Sequence, residues 1–162
     1  MKLLMETWKK YITEVEAEEA NVISFDFDDT LALADSEYEY IGPNEPLLSL
    51  FKQFKDRGYK VYIITSRKEA NEDSHRKKGS ATVNEFVEEY GLSPDNIIFT
   101  HPEDKVHTLR RVGVILHFDD DDYEIAAIEK HAPEIKYVTI DYTDGAITSG
   151  QEHIDELLGE IE

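Results

Sequence analysis

Val22-Ile23-Ser24-Phe25-Asp26-Phe27-Asp28-Asp29-Thr30-Leu31 is the stretch on which the fold turns. Its first four residues form a short apolar run of the kind that makes a strand buried on both faces. The run ends abruptly in three acids and a threonine. Asp26 and Asp28 stand two apart, so in extended geometry both carboxylates project to one side.

Outward from this stretch the pattern alternates. Asn44 caps a helix that opens with Pro46, carries Leu47, Leu50, Phe51 and Phe54, and closes at Gly58. Val61 to Thr65 is a second buried strand. Val83, Phe86, Val87 and Tyr90 make a helical stripe ended by Gly91. Ile97–Phe99 is strand-like, and a short helix runs through Lys105, Val106 and Leu109. Val114–Phe118 is a further strand, stopped by Asp119–Asp122. A helix with Ile125 and Ile128 precedes a last strand, Tyr137–Ile140. Leu31–Pro43 reads as a loop or small hairpin. The polar, aperiodic Lys68–Ser80 reads as loop. Leu4, Trp8, Tyr11, Ile12 and Val15 predict an amphipathic N-terminal helix, and after the turn signal Asp144-Gly145, Ile154, Leu157, Leu158 and Ile161 predict a closing one. Strands alternating with helices, and apolar along their whole length, predict an α/β, three-layer Rossmann-like parallel sheet with helices on both faces. In such folds the site lies at the carboxyl ends of the strands. There the sequence places Asp26-Phe27-Asp28-Asp29-Thr30, Thr65-Ser66-Arg67, Thr100-His101 and Asp119-Asp120-Asp121-Asp122.

So many acids on one rim need a counter-ion. Two like charges about 4 Å apart repel by roughly 4 kcal/mol at an effective dielectric of 20. Several such pairs would rival a folding free energy of about 5–15 kcal/mol. Lys105 supplies one charge, and a hard cation with oxygen ligands supplies the rest. Magnesium suits a few carboxylates plus waters and a phosphate. One carboxylate can then act as nucleophile and another as general acid, with the Thr65 hydroxyl and the Lys105 ammonium facing the phosphoryl oxygens. As isolated residues, Thr65 would be an ordinary strand end and Lys105 a solvated helix lysine; their position gives them weight. Asp121 or Asp122 is expected to cap the next helix. His117, inside a strand, reads as a packed histidine, and His75-Arg76-Lys77-Lys78 as either a solvated loop or a substrate contact.

Bulk properties narrow the class. At 162 residues the chain fits one domain. It has no cysteine, which removes thiolate metal sites and thiol nucleophiles. No apolar run suits a signal peptide or a membrane span, so the expected setting is the cytoplasm. The formal net charge of −19 argues against tight binding to a long nucleic acid.

The arrangement resembles the haloacid dehalogenase (HAD) superfamily from Val22 to about Ile140. The family's Asp-x-Asp-x-Thr after an apolar strand is matched by Asp26 to Thr30. Its strand ending in Ser or Thr is matched by Tyr62-Ile63-Ile64-Thr65, its lysine by Lys105, and its strand ending in paired acids by Leu116-His117-Phe118-Asp119-Asp120. The resemblance implies a magnesium-dependent phosphomonoesterase in which Asp26 becomes an aspartyl-phosphate and Asp28 serves as acid and base. It also implies that Asp26, the Asp28 backbone carbonyl and Asp120 hold Mg2+, with a one-residue shift to Asp121 left open, and that Asp119 orients Lys105. Ser66, Arg67 and Thr30 are expected to bind substrate. The domain would span residues 21–142, preceded by the helix over 1–20 and followed by a turn and helix over 143–162, with no large cap domain. Thr65-Ser66-Arg67 and Phe118-Asp119-Asp120 further resemble the phosphatase domain of polynucleotide kinase-phosphatases, without a kinase half. That likeness implies a small phosphomonoester, with a nucleotide or a 3′-phosphorylated nucleic-acid end as the bolder expectation. A HAD-like phosphotransferase and a silent phosphate-binding module are the alternatives. A response-regulator receiver, which carries its lysine after the last acid, fits less well because Lys105 precedes Asp119.

Overall fold

The computed structural model describes residues 21–159. The helix expected over residues 1–20, and Ile161, lie outside them. The elements are β1 (Val22–Phe25), β2 (Ala32–Ala34), β3 (Tyr40–Pro43), α1 (Glu45–Asp56), β4 (Lys60–Thr65), α2 (Glu72–Lys77), α3 (Val83–Glu89), β5 (Asn96–Phe99), α4 (Lys105–Val112), β6 (Val114–Asp119), α5 (Asp122–His131), β7 (Lys136–Ile140), β8 (Ile147–Ser149) and α6 (Gln151–Leu158). A six-stranded sheet runs in the order β5-β4-β1-β6-β7-β8. All its pairs are parallel except β7 with the edge strand β8. This is the α/β, three-layer Rossmann-like architecture that the alternation of apolar strands and helices predicts.

Period-two alternation divides the strand side chains between two helical layers. Ile23 and Phe25, Val61 and Ile63, and Leu116 and Phe118 join the apolar faces of α1, α3 and α6 in one core. Val22, Ile64 and Val114 join Val106, Leu109, Ile125 and Ile128 of α4 and α5 in the other. The Phe25 and Phe118 rings stack with centroids 4.2 Å apart at the centre of the first core. One irregularity shapes the polar rim. Between the pairs Val22↔Val114 and Ile23↔Leu116 the register shifts by one residue, so Ile115 is extra. A one-residue slip exchanges the faces of every later side chain. This bulge therefore puts His117 and Asp119 on the same face as Ser24.

Three local expectations change, and one alternative is resolved. Lys68–Ser80 is not a loop: it holds a 3-10 turn at Glu69–Asn71 and the six-residue α2, neither with a buried residue. With no apolar stripe to bury, this helix leaves no periodic trace in the sequence. Strand β8, also largely exposed, has the same lack of signal. Leu31–Pro43 resolves as the two-stranded hairpin β2–β3. Asn44 occupies the cap position of α1, but its side chain makes no capping bond. Its amide instead donates to the Gly145 carbonyl at 2.8 Å, tying the segment after β7 to the start of α1.

Gly145 is held at φ +77, and a Cβ there would lie 2.7 Å from the Asn44 amide nitrogen. Gly91 has a similar φ of +64 but open space around it. Gly91→Ala should therefore cost only the left-handed penalty, about 1–2 kcal/mol. Gly145→Ala should cost roughly 1 kcal/mol more, through loss of the Asn44 hydrogen bond. Urea denaturation midpoints of the two variants check this; equal shifts would mean that the Asn44 contact contributes nothing.

Candidate active site

Asp26 follows β1 directly, and its backbone N–H donates to the Phe118 carbonyl at 2.8 Å, which fixes it beside the end of β6. The chain then turns on one acceptor: the Phe27 carbonyl receives the N–H groups of Leu31 at 3.1 Å and Ala32 at 3.0 Å. Asp29 takes a left-handed φ of 58 in this turn. Aspartate tolerates that conformation better than most residues.

A buried chain of charges and hydrogen bonds runs behind Asp26. Lys105, the first residue of α4, places its Nζ 2.6 Å from Asp26 Oδ1 and 2.8 Å from Asp119 Oδ2. Its side chain is 2% exposed. Asp119 Oδ2 also lies 2.8 Å from His117 Nε2, and His117 Nδ1 lies 2.7 Å from the Ser24 hydroxyl. Asp119 Oδ1 accepts from the Asp121 N–H at 3.1 Å. Burial holds the His117 imidazole below its usual range, so it is neutral at pH 7. Asp119 needs donors, so Nε2 carries the proton and Nδ1 accepts from Ser24. Burial would raise Asp119, but the Lys105 charge and the His117 hydrogen bond overcome it and hold the carboxyl well below the carboxylate range. Burial likewise disfavours the Lys105 charge, and the two aspartates more than restore it.

Asp26 and Asp120 differ from Asp119. Burial, then the nearby Asp119 charge, pushes Asp26 well above its ordinary value in spite of Lys105. Burial pushes Asp120 up to about 6. One hydroxyl spans the two: Thr30 Oγ1 lies 3.2 Å from Asp26 Oδ2 and 3.2 Å from Asp120 Oδ1. Thr30, expected at the substrate, is fully buried in this structure, where its hydroxyl links two acids. Asp26, Asp119 and Asp120 each bring an oxygen within 4.8 Å of the others. Asp119 is held by three donors inside the protein, whereas Asp26 and Asp120 also line a depression open to solvent, so these two are the side chains placed to give an oxygen to a cation. These hard donors fit magnesium, and a cation between them would favour the charged forms that burial disfavours. Asp121 caps α5 through the Tyr123 N–H, which favours Asp120 over Asp121 as the ligand.

Asp28 faces outward, its side chain half exposed, and both its oxygens are gripped by Arg67: Nε to Oδ2 at 2.8 Å and Nη2 to Oδ1 at 2.7 Å. The carboxylate is thus taken, leaving the Asp28 backbone carbonyl as what this residue could offer a metal. Arg67 Nη1 donates to Glu72 Oε1 and to the Ala81 carbonyl, each at 2.7 Å, and its guanidinium lies 4.8 Å from the centre of the Phe27 ring. The expected substrate-binding role does not match this geometry. Arg67 is buried and its fork is spent on protein groups, so it holds Asp28 rather than offering two free donors to a phosphate. Thr65 is fully buried and accepts the Arg67 N–H at 3.2 Å. Ser66, exposed, lines a depression of about 370 Å³ with Asp26, Asp28, Lys105 and Asp120.

Two supporting residues carry no signal in the sequence. Glu72 bridges Arg67 to the Val83 N–H, which starts α3. Glu124 accepts the Lys105 N–H at 3.3 Å and so serves the first turn of α4, where Asp104 makes no side-chain cap. Both partnerships join different elements, and no local spacing rule announces them. In the basic cluster, Arg76 pairs with Asp73 and Glu85 and Lys77 with Asp73, all exposed, whereas His75 and Lys78 line a neighbouring cleft.

No family model and no curated protein matches the chain. Solved structures of similar shape include a hypothetical protein from Xanthomonas campestris, with a TM-score of 0.50 at 15% identity over 90% of this chain and 87% of that one. They also include DsGPDH of Dunaliella salina, with a TM-score of 0.52 at 12% identity over 88% of this chain but 30% of that one. The cobalt-bound deoxy-D-mannose-octulosonate 8-phosphate phosphatase of Haemophilus influenzae has a TM-score of 0.48 at 15% identity, over 88% of this chain and 90% of that one. At these identities the likeness is one of fold.

The raised carboxyls give a linkage prediction. A group whose folded pKa lies above its unfolded value near 4 stabilises the fold at low pH, and that contribution is lost as pH rises through the folded value. For Asp120 the window is from the unfolded value to about 6. A cation bound by Asp26 and Asp120 reverses the loss. The rise in melting temperature on adding magnesium should therefore be small at pH 5, larger at pH 7.5, and absent in Asp120→Asn. Thermal melts with and without magnesium at both pH values check it, and a pH-independent rise would sink the assignment.

Proposed function

We propose that this chain is a magnesium-dependent phosphomonoester hydrolase working through an aspartyl-phosphate on Asp26. The observation that carries the reading is the buried Lys105 ammonium, in contact with Asp26 and Asp119 at the floor of an open depression. An ammonium 2.6 Å from the attacking carboxylate stands where it can meet phosphoryl oxygens as charge builds on them. Magnesium, held by Asp26, Asp120 and the Asp28 carbonyl, supplies neutralisation of the phosphate oxygens and a fixed orientation for them.

The residues then divide the work. A carboxylate oxygen of Asp26 forms a bond to phosphorus while the ester oxygen departs with its electron pair. Asp28 gives that oxygen a proton. It must carry the proton in this step, so one of its two contacts to Arg67 yields as it does. A water then returns a proton to Asp28 and attacks phosphorus, and the bond to Asp26 breaks to release phosphate. Arg67 limits where the Asp28 carboxyl can point, and Glu72 limits Arg67. Asp119, held as an anion by His117, keeps Lys105 charged and aimed. Ser66 at the rim is the nearest exposed hydroxyl for a phosphoryl oxygen, and Thr65 fixes the backbone that carries it.

The resemblance to polynucleotide kinase-phosphatases would extend this proposal to nucleotides and 3′-phosphorylated ends, with the net charge of −19 favouring mononucleotides over polynucleotides. A panel of phosphomonoesters including 3′- and 5′-nucleotides and a 3′-phosphorylated oligonucleotide, assayed for released phosphate against transfer to added alcohols, separates hydrolase from phosphotransferase and from a silent binder. Activity should vanish in chelator and return with magnesium. Asp26→Asn should abolish turnover, and Asp28→Asn should slow it by roughly 10²- to 10⁴-fold. Wild-type rates in Asp26→Asn would move the nucleophile elsewhere. Arg67→Lys keeps the charge but loses the fork on Asp28. It should lower kcat with little change in KM and shift the limb of the pH–rate profile that reports the acid. A rise in KM with kcat and the pH profile intact would instead make Arg67 a direct phosphate contact.

A further inference from the structure

We propose that Tyr38 and the cleft it lines form the leaving-group subsite. The subsite takes an uncharged alcohol with a flat, carbon-rich face and turns away leaving groups that carry further negative charge. The proposal rests on the phosphatase reading above.

The cleft, about 460 Å³, lies between the β2–β3 hairpin and the segment from α2 to Ala81. Asp28 lines both this cleft and the depression that holds Asp26. An oxygen that leaves phosphorus and takes its proton from Asp28 therefore has this cleft in front of it. Tyr38 stands at the tip of the hairpin with 83% of its surface exposed. Exposed aromatics are common singly, but two features set this one apart.

Its φ is +64, a left-handed conformation that costs a bulky residue energy and that glycine would adopt freely. The tip is built to hold it there. Asp35 Oδ1 accepts the Glu37 N–H at 2.8 Å and the Glu39 N–H at 3.0 Å, and the Asp35 carbonyl accepts the Tyr38 N–H at 3.0 Å. An outlier held in place by its surroundings points to use of the side chain it presents. The second feature is company. Four large hydrophobic residues are exposed among the described residues, and three of them, Tyr38, Ile41 and Tyr142, line one depression that meets the cleft at Asp29. An apolar, aromatic surface beside a proton donor suits a flat organic leaving group.

Charge sets the other half of the selectivity. In the cleft Asp28 and Arg67 satisfy each other, which leaves Asp29, Glu37 and Glu39 facing Lys78, with His75 beside it. A second phosphate on the leaving group would enter a field of its own sign, and the overall charge of −19 works in the same direction.

The test compares kcat/KM with magnesium for p-nitrophenyl phosphate, adenosine 5′-monophosphate, adenosine 3′,5′-bisphosphate and glycerol 2-phosphate. Wild type should prefer the two flat monoesters over glycerol phosphate, and adenosine monophosphate over the bisphosphate. Tyr38→Ala should lower the preference for flat over glycerol leaving groups by roughly five- to a hundred-fold, the range of one stacked ring, and Tyr38→Phe should keep it. Replacing Glu37 and Glu39 by glutamine together should narrow the gap between mono- and bisphosphate. A ratio unmoved by Tyr38→Ala, or a bisphosphate accepted as well as the monophosphate by wild type, overturns the subsite while leaving the phosphatase standing. No turnover of any ester by wild type overturns the phosphatase reading and the subsite with it.

Discussion

The buried contact of Lys105 with Asp26 and Asp119 is the constraint around which the rest of this structure is arranged. Taking an ammonium and two carboxylates out of water costs several kcal/mol per ion, and mutual attraction compensates only if every remaining donor and acceptor finds a partner. Here the partners come from five places in the chain. Asp119 is met by His117 from its own strand and by the Asp121 N–H, His117 by Ser24 from β1, Asp26 by Thr30, and the Lys105 N–H by Glu124 from α5. Removing one charged member strands the others; by the usual cost of breaking a buried pair, about 3–5 kcal/mol, the triad is a structural as well as a chemical feature. It exists because the bulge at Ile115 turns His117 and Asp119 to the α4 side of the sheet.

That same cluster separates the aspartates by environment. Asp119 shares its oxygens among three donors and is held as an anion. Asp26, buried, and Asp120, half buried, share the Thr30 hydroxyl, and burial pushes both toward the neutral form in spite of the Lys105 contact with Asp26. Asp28 is half exposed and its geometry is set by a guanidinium. Aspartates from two short stretches of sequence, 26–28 and 119–120, thus become, by their surroundings, a held anion, a pair suited to a cation, and an outward-facing acid. Pairs of titratable groups driven apart in this way are what acid–base chemistry near neutral pH requires.

The legible part of this protein is the part whose physics is local. Short apolar runs of three to five residues announced β1, β4, β5, β6 and β7, and the polar residues at the ends of β1, β4, β5 and β6 announced which rim is polar. Asp26, Lys105 and Asp119 could be placed there because strand ends in an α/β sheet converge. What stayed hidden is long-range or unburied. Thr30 belongs to the quoted motif, yet nothing in the motif says whether its hydroxyl faces solvent or two carboxylates. Arg67 follows a strand at the rim, and only its contacts with Glu72 and the Ala81 carbonyl show that its fork is occupied. Helix α2 and strand β8 bury too little to leave a period.

The spending of Arg67 on Asp28 changes how an anionic ester can be received at all. In a chain with 36 acidic and 17 basic side chains, the arginine at the rim would be the natural phosphate clamp. Because it is bound to Asp28 and Glu72, the buried Lys105 is left facing the reacting position from below, itself shared between two aspartates. On the proposed phosphatase reading, attraction for a dianion must then come from the cation that Asp26 and Asp120 are suited to hold, so substrate capture and nucleophile activation would depend on the same ion. The half-exposed Asp28 carboxylate stands outside that ion's proposed ligands. Its direction is fixed by Arg67, and so by Glu72 and the Ala81 carbonyl, which would tie the proposed proton donor to the segment that walls the proposed leaving-group cleft.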